Sequence, residues 1–297
     1  MSVPENAIRR ACRIIAVPFD SGRRDVRMGR GPDHLLARGL ADRLGEAGVD
    51  VTIAHVEPPA NVFPGEIRVA FELQRGVAEQ VVAARRSGAF PLVLSGNCNM
   101  SVGTVAGLTT VAGRAPTVCW FDAHADFNTP DTTVGGFLDG MAVATLAGRC
   151  WQALAAQIPG FRPIDESRIV LLGTRDVDPL EAKLLEASAV RSFASPPADL
   201  VDAVVRPMMT DGSELYLHVD LDALDPSCGR ANSYAAAGGL TASELLGVVG
   251  ALGDGCRVGA MALTAYDPAF DESGAVARVA IDLAARVVTA TTTFAAR

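Results

Sequence analysis

Short apolar runs rich in β-branched residues alternate with longer amphipathic stretches along the whole chain. The runs predict strands at 13–19, 51–55, 91–94, 117–121, 168–172, 215–220 and 258–264. The stretches between them predict helices at 33–47, 66–86, 102–111, 138–147, 180–187, 242–252 and 275–287. In the longest, Ile67, Val69, Ala70, Leu73, Val77 and Val81 keep an apolar stripe at helical spacing. Strand–helix alternation throughout predicts an α/β fold: a mainly parallel central sheet between two helical layers. The Pro58-Pro59 and Pro196-Pro197 stretches and the tract around Gly135-Gly136 read as loops, so residues 1–297 are expected to form a single domain.

Composition narrows the partners. The 297 residues carry a net charge of −8 with acidic and basic residues interspersed, and no basic stripe offers itself to phosphates, which argues against nucleic acid. The six cysteines are widely spaced, with no C-x-x-C pair, so a disulfide framework is not expected. A signal peptide and an apolar stretch of about 18 residues are both missing, which predicts a cytoplasmic protein with no membrane partner.

Two acidic clusters change the picture. Asp122-Ala123-His124-Ala125-Asp126 follows the apolar run 118–121, and Asp220-Leu221-Asp222 ends the run 215–219. Strand alternation would point Asp122, His124 and Asp126 to one side, and likewise Asp220 and Asp222. Both clusters fall at carboxyl ends of strands, where open parallel sheets bind ligands. Four carboxylates and one imidazole in a nearly dry site are costly unless cations neutralise them. Mostly oxygen donors suit hard to borderline divalent ions, Mn²⁺ being a natural occupant, and so many carboxylates point to two ions rather than one.

These and three further motifs resemble the ureohydrolase superfamily of arginase, agmatinase and formiminoglutamase. Arg27-Met28-Gly29-Arg30-Gly31-Pro32 resembles its Gly-Pro entry to the first helix, and Leu94-Ser95-Gly96-Asn97-Cys98-Asn99 lies where the family has Gly-Gly-Asp-His-Ser. Asp122 to Pro130 and Arg175-Asp176-Val177-Asp178-Pro179 are close to the arginase pattern. Asp220-Leu221-Asp222-Ala223-Leu224-Asp225-Pro226 resembles the second metal motif. The resemblance implies an arginase-like three-layer fold and two divalent metal ions. One would be held by Cys98, Asp122, Asp126 and Asp220, the other by His124, Asp122, Asp220 and Asp222. A hydroxide between such ions is nucleophilic at neutral pH and would attack an sp² carbon to cleave a C–N bond. Asp126, and Asp139 at the position of an active-site His, are the residues expected to be catalytic. Asn128 and Thr133 match positions that recognise an α-carboxylate, and Asp178 and Glu181 match positions near an α-amino group.

Three positions depart from the family pattern. Cys98 replaces a metal-binding His: a thiolate is softer and adds negative charge, so it either ligates one ion or leaves that site weak. Asp139 replaces an active-site His and is either a general acid with a raised pKa or a loop carboxylate facing water. A similar Cys and a similar Asp-Phe-Asn-Thr-Pro stretch are found in the superfamily's hydroxyarginine amidinohydrolase branch. Ala265 stands where a Glu would hold a guanidinium, so either the reacting end is less cationic or Asp139 or Asp267 replaces the charge. The expectation is a manganese hydrolase of a small guanidine, hydroxyguanidine, amidine or amide, amino-acid derived, and not an ordinary arginase. Homo-oligomerisation is left open. The alternative is a catalytically impaired member that binds a metabolite or a pathway partner. His218 is expected to be a hydrogen-bonded structural residue.

Overall fold

The structure is a computed structural model that describes residues 10–209 and 211–291. It begins with β1 (Arg10–Val17), a small antiparallel hairpin of β2 (Phe19–Asp20) and β3 (Arg23–Arg24), α1 (Gly31–Ala37) and α2 (Leu40–Glu46). There follow β4 (Val49–His55), α3 (Glu66–Arg86), β5 (Phe90–Ser95), α4 (Ser101–Ala112), β6 (Thr117–Phe121), α5 (Ala142–Leu146) and α6 (Gln152–Ala155). The chain then runs through β7 (Ile169–Leu172), α7 (Pro179–Glu186), β8 (Arg191–Phe193), α8 (Arg206–Met208), β9 (Leu215–Asp220), α9 (Ala242–Gly255), β10 (Val258–Thr264) and α10 (Ala275–Ala290).

Eight strands form one sheet in the order β4-β1-β5-β10-β9-β6-β7-β8, and every pairing in it is parallel. Parallel strands need long crossovers, and the helices that make them cover both faces. One core packs Leu35, Leu40, Leu44, Leu245 and Leu283 of α1, α2, α9 and α10 against the sheet; the other packs Leu73, Val77, Val105 and Val143 of α3, α4 and α5. The four central strands, β5, β10, β9 and β6, are buried along their whole lengths, as continuous apolar sequence requires. Their order sets the turns after them side by side at one edge of the sheet. Those turns carry Cys98, Ala265, Asp222 and Asp122.

Several elements differ from the pattern-based expectation. The helix expected over 33–47 is two, because Gly39 adopts a left-handed φ of 91° between α1 and α2 although the apolar stripe runs on unbroken. The helix expected from 138 begins as a 3-10 turn over Asp139–Met141. Edge strand β8 and the π-helical turn Leu200–Val205 went unpredicted; β8 has only three residues, two of them exposed. Strand β6 ends at Phe121, so Asp122 to Asp126 occupy a loop. Asp126 has a left-handed φ of 49° there, and the acidic side chains converge through this turn and not through strand alternation. Among the described residues no helix is long and apolar enough to cross a membrane.

Helix α4, which carries the Cys98 turn at its start, lies close against α3. A Cβ on Gly103 would come 2.1 Å from the Gln74 carbonyl oxygen, and one on Gly107 would come 2.9 Å from that of Ala78. These positions lie four apart and share a face. Gly103→Ala is expected to destabilise the protein by about 1–3 kcal/mol in denaturant unfolding, the usual cost of overpacking. Gly247→Ala, in α9 with nothing within 4 Å, is expected to stabilise it by about 0.5–1 kcal/mol. Equal effects at both positions would contradict this account of the α3–α4 contact.

Candidate metal centre and cleft

A cleft opens at the carboxyl ends of the central strands, and Cys98, His124, Asp126, Asn128, Thr133, Asp139, Asp178, Glu181, Asp220 and Asp222 all line it. Two triads of ligand atoms gather there: Cys98, Asp122 and Asp220, and Asp122, His124 and Asp222. Within each triad the atoms lie within 4.8 Å of one another, and Asp122 belongs to both. Asp126 stands outside both triads, and its buried Oδ2 has no hydrogen-bond partner.

Local hydrogen bonds explain how the chain holds these groups. The Trp120 indole donates to Asp122 Oδ2 at 3.0 Å, and the His124 amide donates to Oδ1 at 2.8 Å. The Asp222 amide donates to Asp220 Oδ1 at 2.8 Å, closing the turn after β9. The Ala123 amide reaches Asp222 Oδ1 at 3.2 Å and ties the two acidic loops together. His124 Nδ1 lies 3.2 Å from Asp122 Oδ1 and 3.5 Å from Asp222 Oδ2. Cys98 Sγ lies 3.1 Å from both Asp220 Oδ2 and Thr264 Oγ1. Thr264 continues to His218 Nε2 at 3.2 Å, and His218 Nδ1 meets the Tyr216 hydroxyl at 3.0 Å. His218 is also stacked on Trp120, with ring centroids 3.4 Å apart, so it braces the site from behind as a hydrogen-bonded core residue.

The electrostatics are those of crowded negative charge with too little countercharge. Burial and the neighbouring Asp222 raise Asp122 to about 6. Burial and Asp122 hold Asp126 well above the carboxylate range; burial, Asp222 and Asp122 do the same to Asp220. Burial, with Asp220 and Asp139 beside it, pushes the Cys98 thiol up strongly. Burial alone would lower His124, but the hydrogen bond to Asp122 and the charge of Asp222 outweigh it and raise the imidazole to about 9. Divalent cations would supply the missing positive charge. The donor set of carboxylate oxygens, one imidazole and one sulfur fits such ions, and the orphaned Asp126 oxygen is a free acceptor beside it.

Asp139 is buried and does not face water. Its Oδ1 accepts from the Asn99 amide at 2.8 Å and its Oδ2 from the Asn97 side chain at 2.9 Å. Burial still raises it to about 7 against those bonds. Asp267 is not among the residues that line the cleft, and Arg30 and the Ala269 amide take its Oδ1 at 3.1 and 3.0 Å. At the other end, Asn128 donates to Asp178 Oδ2 at 3.1 Å, and Asp178 with Glu181 forms the capping box that starts α7. Glu181 accepts from the Phe127 amide at 2.7 Å and the Asp178 amide at 3.2 Å, so its oxygens tie the loop to the helix. Thr133 Oγ1 accepts from the Gly136 amide at 3.1 Å.

Pattern reading missed Met28, Asn232 and Tyr234, which also line the cleft. Asn232 donates to Asp222 Oδ2 at 3.2 Å and to the Ala265 carbonyl at 2.8 Å. That second bond holds Ala265 in a left-handed φ of 57°, a conformation that costs a non-glycine residue about 1–3 kcal/mol. Asn232 and Tyr234 sit in an irregular loop beyond the second acidic motif, where hydrophobic periodicity carries no signal.

Comparison with known proteins agrees with the fold and the cleft. The Arginase family model matches residues 10–290, and the chain belongs to the arginase family. An arginase of Brucella melitensis is 30% identical over 294 residues, covering 93% of this chain and 95% of that protein. The arginase structure from Bacillus caldovelox superposes with a TM-score of 0.82 at 26% identity, over 95% of this chain and 98% of that one. Proclavaminate amidinohydrolase from Streptomyces clavuligerus shares the fold, with a TM-score of 0.70 at 18% identity, over 99% of this chain and 95% of that one. The protein is accordingly a hydrolase of C–N bonds other than peptide bonds.

The charge crowding makes stability sensitive to pH and to metal. His124 is raised from 6.5 to about 9, so its contribution is complete below pH 6.5 and is lost as pH rises through 9. Asp122 and Asp139 lose theirs in the same direction, through about 6 and about 7. His34 and His218 are lowered and act in the opposite direction, but only below pH 6.5. EDTA-treated protein is therefore expected to melt at a lower temperature at pH 9 than at pH 7. Saturating Mn²⁺ is expected to raise the melting temperature by several degrees at pH 7, in line with ligand linkage of about 2.7 kcal/mol at a hundred times Kd. A melting temperature that rises from pH 7 to 9, or that ignores Mn²⁺, would contradict this electrostatic account.

Proposed function

We propose that the protein is a manganese hydrolase of an amino-acid-derived substrate whose reacting carbon carries an N-hydroxyguanidine, amidine or amide-type group, and that ordinary arginine is a poor substrate. The observation that carries this reading is the lining of the cleft: a dense acidic cluster together with Ala265, whose side chain has no carboxylate to pair a guanidinium.

Two divalent ions, when bound, would supply an acidified water and positive charge to draw electrons from the attacked carbon. Cys98, Asp122, Asp126 and Asp220 are the residues proposed to hold one, and His124, Asp122, Asp220 and Asp222 the other. Asp122 and Asp220 would serve both. The cysteine makes the first site softer and sensitive to oxidation.

The rest follows from the chain's own groups. Asp178 at the start of α7 would present a carboxylate to an α-ammonium, while the Asn128 amide, bonded to Asp178, and the Thr133 hydroxyl line the same cleft and would take an α-carboxylate. These contacts hold the head of the substrate, and its tail then reaches the strand ends. Burial raises Asp139 to about 7 in the metal-free protein, and Asp139 is the residue proposed to give a proton to the departing nitrogen as the C–N bond breaks. Glu181 acts indirectly, by fixing Phe127 and Asp178. The impaired-member reading is disfavoured by retention of every carboxylate and imidazole of the two motifs.

The test is a parallel assay of arginine, N-hydroxyarginine, agmatine and formiminoglutamate with Mn²⁺-loaded protein. N-hydroxyarginine is expected to give the highest kcat/KM and arginine a much lower one. Asp178→Ala is expected to weaken binding of the favoured amino-acid substrate about ten- to a hundredfold, the range for losing one charged hydrogen bond. Arginine as the best substrate would contradict the inference from Ala265. An unchanged KM in Asp178→Ala would contradict the assignment of the head-group end.

A further inference from the structure

Tyr234 lines the cleft together with Ala265, and Arg27 and Asp20 back it from outside the lining. Asp20 is fully buried, and Arg27 clamps it with two bonds, Nε to Oδ2 and Nη2 to Oδ1, both 2.7 Å. Arg27 holds a left-handed φ of 44° in doing so, a strained backbone for a residue with a side chain. Its guanidinium also faces the phenol of Tyr234, which lines the cleft. Tyr234 is fixed from two further directions. Its amide donates to Asn232 Oδ1 at 2.8 Å, and its ring stacks on Phe137 with centroids 5.5 Å apart. Because Asn232 is bonded to the Ala265 carbonyl, the Tyr234 loop is pinned beside Ala265.

Donor and acceptor chemistry then decides what Tyr234 can bind. An arginine has five N–H donors and no acceptor, so the phenol oxygen facing it must accept and the phenol O–H is left to donate. Asn232 cannot take the role, since its amide nitrogen and oxygen already have partners. Met28 and Ala265 offer no polar side-chain group suited to it. A phenol O–H held as a donor suits an oxygen or nitrogen with a lone pair. It does not suit a guanidinium, which is cationic and carries donors only.

We propose that Tyr234 is a specificity-determining residue whose hydroxyl donates to a neutral acceptor atom on the substrate's reacting group, such as the hydroxyl oxygen of an N-hydroxyguanidine or a ureido carbonyl. Arg27, anchored by Asp20, is its positioning residue. The inference rests on the hydrolase reading above and adds which atom of the substrate the chain selects.

The experiment compares wild type with Tyr234→Phe, both Mn²⁺-loaded and folded by circular dichroism, on N-hydroxyarginine and arginine. The ratio of kcat/KM for N-hydroxyarginine over arginine is expected to fall about tenfold in Tyr234→Phe, as for loss of one hydrogen bond. Arg27→Gln is expected to lower the same ratio, and Arg27→Lys, which keeps a charge against Asp20, to restore most of it; a merely structural loss would lower both substrates together. An unchanged ratio in Tyr234→Phe overturns the inference while leaving the hydrolase reading intact. If neither compound turns over, the hydrolase reading fails, and their affinities by calorimetry decide this one. A tenfold loss confined to N-hydroxyarginine supports it, and equal losses overturn it.

Discussion

The structure is organised around buried negative charge that its own side chains do not neutralise. Asp122, Asp126, Asp220 and Asp222 meet at the ends of two strands with one imidazole and one thiol among them. Isolated buried carboxylates would each cost several kcal/mol, so such an arrangement persists only where neutralising partners compensate. Here the partners are backbone amides, the Trp120 indole, the Asn232 amide, the Cys98 thiol and His124, and they are too few: the raised pKa values of Asp122, Asp126 and Asp220 record the shortfall. Asp122 is central to it, because it belongs to both ligand triads and receives the bonds from Trp120 and His124.

The fold supplies this convergence by topology. A parallel sheet sends all its carboxyl ends to one edge, and the order β5-β10-β9-β6 sets four chemically distinct turns in a row. The turns are held in conformations that regular structure does not provide, with Asp126 and Ala265 both at positive φ. Strain is tolerated there because the surrounding bonds over-determine it, as the Asn232 bond to the Ala265 carbonyl illustrates. Behind the site the His218 and Trp120 rings stack with centroids 3.4 Å apart, joining β9 to β6 through their side chains.

Much of this was legible in the sequence, for identifiable reasons. Continuous apolar runs announce buried parallel strands, and acidic pairs directly after them announce a site at the strand ends. The reasoning from alternation placed Asp122, His124 and Asp126 correctly near one another but by the wrong route, since the strand stops at Phe121 and a tight loop does the work. The break at Gly39 was hidden by an uninterrupted apolar stripe, and β8 by its brevity and exposure. Asn232 and Tyr234 were invisible because they act through side-chain contacts in an irregular loop, and Arg27, read only as part of the Gly-Pro entry motif, meets Tyr234 through a contact distant in sequence. The Arg30–Asp267 ion pair joins residues 237 apart in the chain, a pairing that local pattern does not reveal.

The central claim is that Asp122 is shared between two metal ions. Anomalous diffraction at the manganese edge from crystals grown with Mn²⁺ tests it most directly. The account predicts two peaks, about 3.5–4 Å apart as in other two-metal sites, with the Asp122 carboxylate between them and Cys98 Sγ beside one. A single peak, or two peaks that leave Asp122 uncoordinated, would contradict it.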